Sequence, residues 1–266
     1  MKATPTSLYL NLLKSSLTDT LYNREPNLNG SQERVLPDFV NHYIRGSAVT
    51  MLPRVRLDNL QFCMEDVLRC GVAGDFIEAG VWRGGCTIFM AGILKAYGIT
   101  DRTVWVADSF EGLPKPNEKH GPLEAKAHSG PVMSKLFNHF AVSMDEVKKN
   151  FKIYGLLDDR VRFLKGWFKD TLPLAPIQRL AVIRLDGDYY ESTRDSLEHL
   201  YHRLSPGGYV IIDDYGEKTW TYCRKAVDEF RANRQILDPL RRVDSKCHYW
   251  QRAVSKARRR KGGNNL

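Results

Sequence analysis

Short apolar runs alternating with segments of helical period constrain this chain more than any other feature of its sequence. Residues 75–79 (DFIEA), 103–107 (TVWVA), 161–164, 180–185 (LAVIRL) and 209–212 (YVII) read as strands. Residues 87–97, 144–154 and 192–204 between them read as helices. Ahead of the first strand, Leu57, Leu60, Met64, Val67 and Leu68 recur at helical spacing across 56–70, until Gly71 and Gly74 end the helix. Strands this apolar must be covered on both faces, and intervening helices do that only for a mostly parallel sheet. The expectation is an α/β fold, a twisted and mostly parallel sheet with helices on both sides.

The N-terminal region has a different texture. Residues 1–21 carry Leu8, Leu10, Leu12, Leu13 and Leu17 on a rough helical face, and a short helical region is expected around 38–44. The chain therefore divides into a helical cap (1–55), a core (56–251) and a basic tail (252–266). The cap helix packs either on the core or on a second copy of the chain, so a homodimer is one expectation. Residues 111–131 hold four prolines, three glycines and two histidines without period, and read as a lid over a site.

Composition removes several classes of function. No apolar run approaches the ~20 residues of a membrane span. The N-terminus lacks the unbroken apolar stretch of a secretory signal, so a cytoplasmic protein with no membrane partner is expected. Five cysteines without a C-x-x-C pair fit free thiols in a reducing compartment and argue against a zinc site. The net charge of +9 is concentrated in Arg252, Lys256, Arg258, Arg259, Arg260 and Lys261, and without these it is +3. That pattern reads as a solvated, disordered tail, with no nucleic-acid partner.

Chemistry gathers where the apolar runs end, the place where open parallel sheets bind ligands. At the first tip, Glu78-Ala-Gly80 runs into a glycine turn that does not match the dinucleotide fingerprint G-x-G-x-x-G. An acid there disfavours a pyrophosphate and favours a cationic cofactor, and S-adenosylmethionine fits. At the second tip, Asp108 could accept the hydroxyls of a ribose, or Asp108 and Ser109 could simply cap a helix. At the last two tips stand Asp186, Asp188, Asp213 and Asp214. Adjacent strands lie about 4.8 Å apart, so such acids can share one ion. An all-oxygen set favours Mg²⁺, Mn²⁺ or Ca²⁺ over zinc. The plain alternative is a set of turn residues and caps beside Gly187 and Gly216.

FIEAGVWRGG, RTVWVADSFEGLP, LDGDYYEST and GGYVIIDDYG, in this order, resemble the macrocin O-methyltransferase family, with RLDNLQ (56–61) and FLKGWFKDTLP (163–173) adding to the likeness. The resemblance implies a Rossmann-like class I methyltransferase core with an N-terminal helical cap and a lid. It also implies transfer of a methyl group from S-adenosylmethionine, with Mg²⁺ or Mn²⁺, to a sugar hydroxyl of a glycoside in macrolide or aminocoumarin antibiotic biosynthesis. By resemblance Asp186, Asp213 and Asp214 are metal ligands and Asp188 is the general base. Glu78, Gly80, Asp108 and Ser109 would contact the cofactor, as would Asp186 beside its metal role. Ser143, Gly166 and Trp167 would lie near the adenine, and Thr50 with Met51 near the methionine part.

Other readings remain open at the level of sequence. His120 and His128 compete with Asp188 as the base. A catechol or other phenol could use the same ion with a weaker base, since phenols ionise near pH 10. A metal-dependent hydrolase would leave Glu78 and Asp108 without a purpose, and an RNA-directed protein would act through the tail.

Overall fold

Five strands form the body of the sheet: β1 (Asp75–Ala79), β2 (Val104–Asp108), β4 (Leu180–Leu185) and β5 (Leu204–Ile212), built mostly of buried residues, and β3 (Val161–Lys165), a more exposed edge strand. The computed structural model describes residues 4–23, 26, 39–120, 122–130, 138–217 and 221–254. The expected disorder of the tail beyond Val254, residues 1–3 and position 38 lie outside them. Two further strands, β6 (Arg241–Arg242) and β7 (His248–Gln251), complete a seven-stranded sheet in the order β3-β2-β1-β4-β5-β7-β6. The first five run parallel, while β7 pairs antiparallel with both β5 and β6. The order reverses between β1 and β4, the crevice where ligands bind in such sheets.

Side chains alternate across the sheet, so two cores form. Phe76, Val182, Tyr209 and Ile211 face one, beneath helices α2 (Arg54–Arg69) and α3 (Gly85–Ala96). Ile77, Ile183, Val210 and Ile212 face the other, with residues of α7 (Tyr190–Leu200) and α8 (Tyr222–Asn233). Among the described residues no helix is long and apolar enough to cross a membrane.

The cap is continuous with the first core. Helix α1 (Pro5–Leu17) starts with Pro5 in its first turn and Thr4 as N-cap, the Thr4 hydroxyl accepting from the Ser7 amide at 3.1 Å. Leu10, Leu13 and Leu17 are buried in the same cluster as Phe89 of α3. A Cβ on Gly92 of α3 would stand 2.3 Å from the Leu13 side chain, so the helices approach where α3 has no side chain. Helix α1 therefore packs on its own core, and residue 55 marks no break in packing. A π-helical turn at Val40–Ile44 follows, and the Arg83 guanidinium donates to the Ala48 carbonyl at 2.8 Å, tying this region to the turn after β1.

Among its described residues, the segment 111–131 expected to form a lid holds a short helix, α4 (Pro122–His128), which the aperiodic sequence did not suggest. Helices α5 (Met144–Ile153) and α6 (Phe168–Thr171) flank β3.

Candidate active site at the strand tips

Register explains the acid cluster. Glu78 of β1 pairs with Arg184 of β4, and Arg184 with Ile211 of β5, so all three side chains share one face. Two residues further along, the same face carries Asp186 and Asp213. Arg184 is 1% exposed, the charged member of an otherwise apolar buried strand. Its guanidinium donates to Glu78 Oε1 at 2.5 Å, Asp186 Oδ2 at 2.9 Å and Asp213 Oδ1 at 2.5 Å. A second cation arrives from α2, where Arg56 donates to Asp213 Oδ2 at 2.5 Å and to Asp244 Oδ2 at 2.6 Å. A reading of the tips as anions made tolerable by a metal ion alone needs correction, because two arginines already answer part of the charge. The signal for Arg184 was an arginine inside LAVIRL, since a buried guanidinium requires partners.

The arginines do not answer all of it. One carboxylate oxygen from each of Asp186, Asp213 and Asp214 can be chosen so that the atoms lie within 4.8 Å of one another. Asp214 Oδ2 is buried with no hydrogen-bond partner among the described residues. Burial, followed by repulsion from Asp188, Asp186 and Asp213, holds the Asp214 carboxyl well above the usual carboxylate range. Burial and then Asp213 push Asp186 up to about 6. An orphaned oxygen among crowded carboxylates, with oxygen as the donor atom throughout, fits a hard divalent cation.

Local strain gathers at the same tips. Trp82, Phe110 and Asp188 adopt φ of 49°, 56° and 57°, left-handed values that non-glycine residues seldom take. They stand after β1, β2 and β4 respectively. At Gly80 (φ 92°) a Cβ would lie 1.9 Å from the Asp186 carbonyl oxygen, so this glycine is required by the approach of β4.

Two cavities open over the tips, of about 560 and 490 Å³, and share Gly80, Asp108, Gly112, Leu113 and Asp186 in their walls. These are sizes typical of small-molecule sites. The larger contains Met51, Arg56, Trp82, Phe140, Asp188, Asp213 and Asp214. The smaller contains Ser109, Gly166 and Trp167. Asp108 accepts from the Val81 amide at 2.7 Å and the Phe110 amide at 2.8 Å, one on each oxygen. Burial raises its carboxyl, against the pull of those amides.

Three expected cofactor residues stand elsewhere. Thr50 is buried beside the start of α3, its hydroxyl accepting from the Leu52 amide at 3.2 Å, and it lines neither cavity. Ser143 is exposed and serves as N-cap of α5, accepting from the Glu146 amide at 3.2 Å. Glu78 is buried and also lines neither cavity; Arg184 meets its Oε1, while its Oε2 has no hydrogen-bond partner among the described residues. Burial, opposed by Arg184, still pushes it up to about 7. The competing histidines pack on α7 and its approach: His120 stacks on Tyr190 at 4.8 Å, and His128 Nδ1 lies 3.2 Å from the Tyr189 hydroxyl. Neither lines the two cavities.

The family described as Macrocin-O-methyltransferase (TylF) matches residues 44–252. The chain belongs to the macrocin O-methyltransferase family. It is an O-methyltransferase with the class I Rossmann-like fold. It is similar to the 8-demethyl-8-(2,3-dimethoxy-alpha-L-rhamnosyl)-tetracenomycin-C 4'-O-methyltransferase of Streptomyces olivaceus, with 48% identity over 94% of this chain and 95% of that one. The mycinamicin III 3''-O-methyltransferase of Micromonospora griseorubida is 46% identical over 95% and 99% of the two chains. The solved structure of the O-methyltransferase NovP, 46% identical, superposes with a TM-score of 0.80 over 94% of this chain and all of that one.

Proposed function

We propose that this macrocin-family enzyme methylates a sugar hydroxyl of a glycosylated natural product, with a divalent cation, Mg²⁺ or Mn²⁺, at the tips of β4 and β5. One observation carries the reading. Asp186, Asp213 and Asp214 converge on the wall of the larger cavity, and an Asp214 oxygen is left buried and unpartnered. The sugar acceptor is supported by the relatives, one of which is named for a rhamnosyl-bearing substrate.

Asp186, Asp213 and Asp214 would hold the ion. When bound, a divalent cation lowers the pKa of a hydroxyl and stabilises the developing alkoxide. Asp188 lines the same cavity and would take the hydroxyl proton as the new oxygen–methyl bond forms and the sulfur–methyl bond breaks. Its left-handed backbone fixes the carboxylate at the turn between β4 and α7. Asp108 would accept from the ribose of S-adenosylmethionine, a role its carboxylate would share with the Val81 and Phe110 amides and the Ser109 hydroxyl that hold it. Gly80, Ser109, Gly166 and Trp167 would complete the smaller cavity around the nucleoside, with Met51 toward the methionine end. The lid helix α4 would help to exclude water, resting on Tyr189 beside Asp188.

The test is transfer of a labelled methyl group to a panel of deoxysugar glycosides and to a catechol, with and without EDTA. Transfer to a glycoside that stops on chelation and returns with Mg²⁺ is expected. Transfer to the catechol alone would replace the acceptor class, and transfer that survives chelation would remove the cation.

A further inference from the structure

Asp213 is unusual among the clustered acids because both of its oxygens already meet a guanidinium. Oδ1 accepts from Arg184 at 2.5 Å and Oδ2 from Arg56 at 2.5 Å. The two arginines are not equivalent. Arg184 is inside the sheet, where it also anchors Glu78 and Asp186, so its loss would strand those two acids and leave Asp213 to Arg56 alone. Arg56 comes from the first turn of α2, lines the larger cavity and divides its guanidinium between two carboxylates. Its Nε and Nη2 reach Asp244 at 2.6 and 3.3 Å, while Nη1 reaches Asp213. Asp244 is itself held in place by the amides of Lys246 and Cys247, each at 2.8 Å, in the connection between β6 and β7. Asp244 is therefore a fixed anchor that draws Arg56 away from the acid cluster on one side.

We infer that Arg56 and Asp244 form a positioning pair that sets how tightly the Asp186–Asp213–Asp214 carboxylates hold a divalent cation, with Arg56 competing for Asp213 and Asp244 restraining Arg56. The inference rests on the cation site proposed above and adds residues that do not themselves ligate. Two effects of Arg56 oppose each other. It orients Asp213, which favours binding, and it places a positive charge beside the cation, which disfavours it. Arg184 independently fixes Asp213 Oδ1, so orientation largely survives the loss of Arg56 while the repulsion disappears. Coulomb energies between charges a few ångströms apart in a partly buried site exceed the worth of one redundant hydrogen bond, so the repulsion decides the sign.

The experiment is calorimetric titration of the full chain with Mn²⁺ alone, and separately with S-adenosylmethionine, for the wild type, Arg56→Gln, Arg56→Lys and Asp244→Asn. Arg56→Gln should bind Mn²⁺ about tenfold more tightly, the order expected from deleting one nearby charge at intermediate dielectric. Arg56→Lys keeps the charge and should stay within about threefold of wild type. Asp244→Asn frees Arg56 for Asp213 and should weaken Mn²⁺ binding by about three- to tenfold. Cofactor affinity should hold in all three. A purely structural role would instead lower metal affinity, cofactor affinity and Tm together in both Arg56→Gln and Asp244→Asn, and would overturn the inference. Equal Mn²⁺ affinity across the set would also overturn it. Failure of the wild type to bind Mn²⁺ would remove the cation site and this inference with it. Should Arg56→Gln not fold, Arg56→Lys and Asp244→Asn still decide: near-wild-type affinity in the first with weakening in the second is expected, and weakening in both alike counts against it.

Discussion

The tips of β2 and of β4–β5 both carry buried acids, yet they are built on opposite principles. Asp108, at the end of β2, is satisfied by the fold: the Val81 and Phe110 amides occupy one oxygen each, and both lie in left-handed or glycine-flanked turns that the carboxylate holds in shape. Asp214, just past the end of β5, has a buried oxygen with no partner and three acids around it. One carboxylate is held by backbone amides, while the other costs stability by burial and repulsion. On the function proposed above, the same residue type at the same kind of position separates into a structural anchor and a cation ligand.

The sharpest way to break that contrast is to neutralise each acid with a near-isosteric amide. Asp214→Asn should lower turnover by more than about 10³-fold, because cation-dependent activation contributes several kcal/mol. Its metal-free Tm should nevertheless equal or exceed that of the wild type, since removing the charge relieves Asp186, Asp188 and Asp213. A metal-free protein markedly destabilised by this change would mean that Asp214 is another anchor. Asp188→Asn comes next, with about 10²–10³-fold lower kcat and unchanged Mn²⁺ and cofactor affinities, the usual range for loss of a general base. Asparagine accepts a left-handed φ, so the turn survives and the loss reports on chemistry. Near-normal kcat would return the base role to another group. Asp108→Asn should behave in the reverse sense to Asp214→Asn. An amide group cannot accept from both backbone N–H groups, and the orphaned donor costs about 1–3 kcal/mol, read as a lower Tm. Cofactor affinity should fall with it while Mn²⁺ affinity holds.

Much of the β2 side was legible in the sequence, and much of the β4–β5 side was not. TVWVA followed by Asp108 announces a strand and its tip directly, and the ranges expected for β1 and β4 coincide with the observed ones. At β4–β5 the acids stood out, but their counter-charges did not. Arg184 was hidden inside an apolar run, and Arg56 reaches Asp213 across 157 positions of sequence. Register, which places Glu78 beside Arg184 and aligns Asp186 with Asp213, is a tertiary property that no single strand displays. Helix α8 was findable, because Cys223, Ala226, Val227 and Phe230 recur at helical spacing on its buried face. Strand β7 was not, since HYWQ is too short for its alternation to stand out. Thr50 and Ser143 also pack and cap, roles that a motif match cannot distinguish from ligand contact.

The smallest expected effect concerns the lid over the β4 tip, and its sign follows from His128. Burial, and then the charge of Lys115, lower His128 from its ordinary value of 6.5. The folded lid therefore favours the neutral ring, and the unfolded segment binds the proton more readily. The stability tied to His128 is complete above pH 6.5 and is lost as pH falls through its lowered folded value. Because Nδ1 sits against the Tyr189 hydroxyl, next to Asp188, opening of the lid should become more frequent on acidification. Hydrogen exchange across α4, corrected for the intrinsic rate, should show protection falling between pH 7.5 and 5, since the opening equilibrium changes by the factor by which folding weakens proton binding to the ring. His128→Gln should flatten that dependence while leaving exchange in β2 unaltered. An unchanged slope in the variant would place the proton elsewhere and detach the lid from the acid-laden tip.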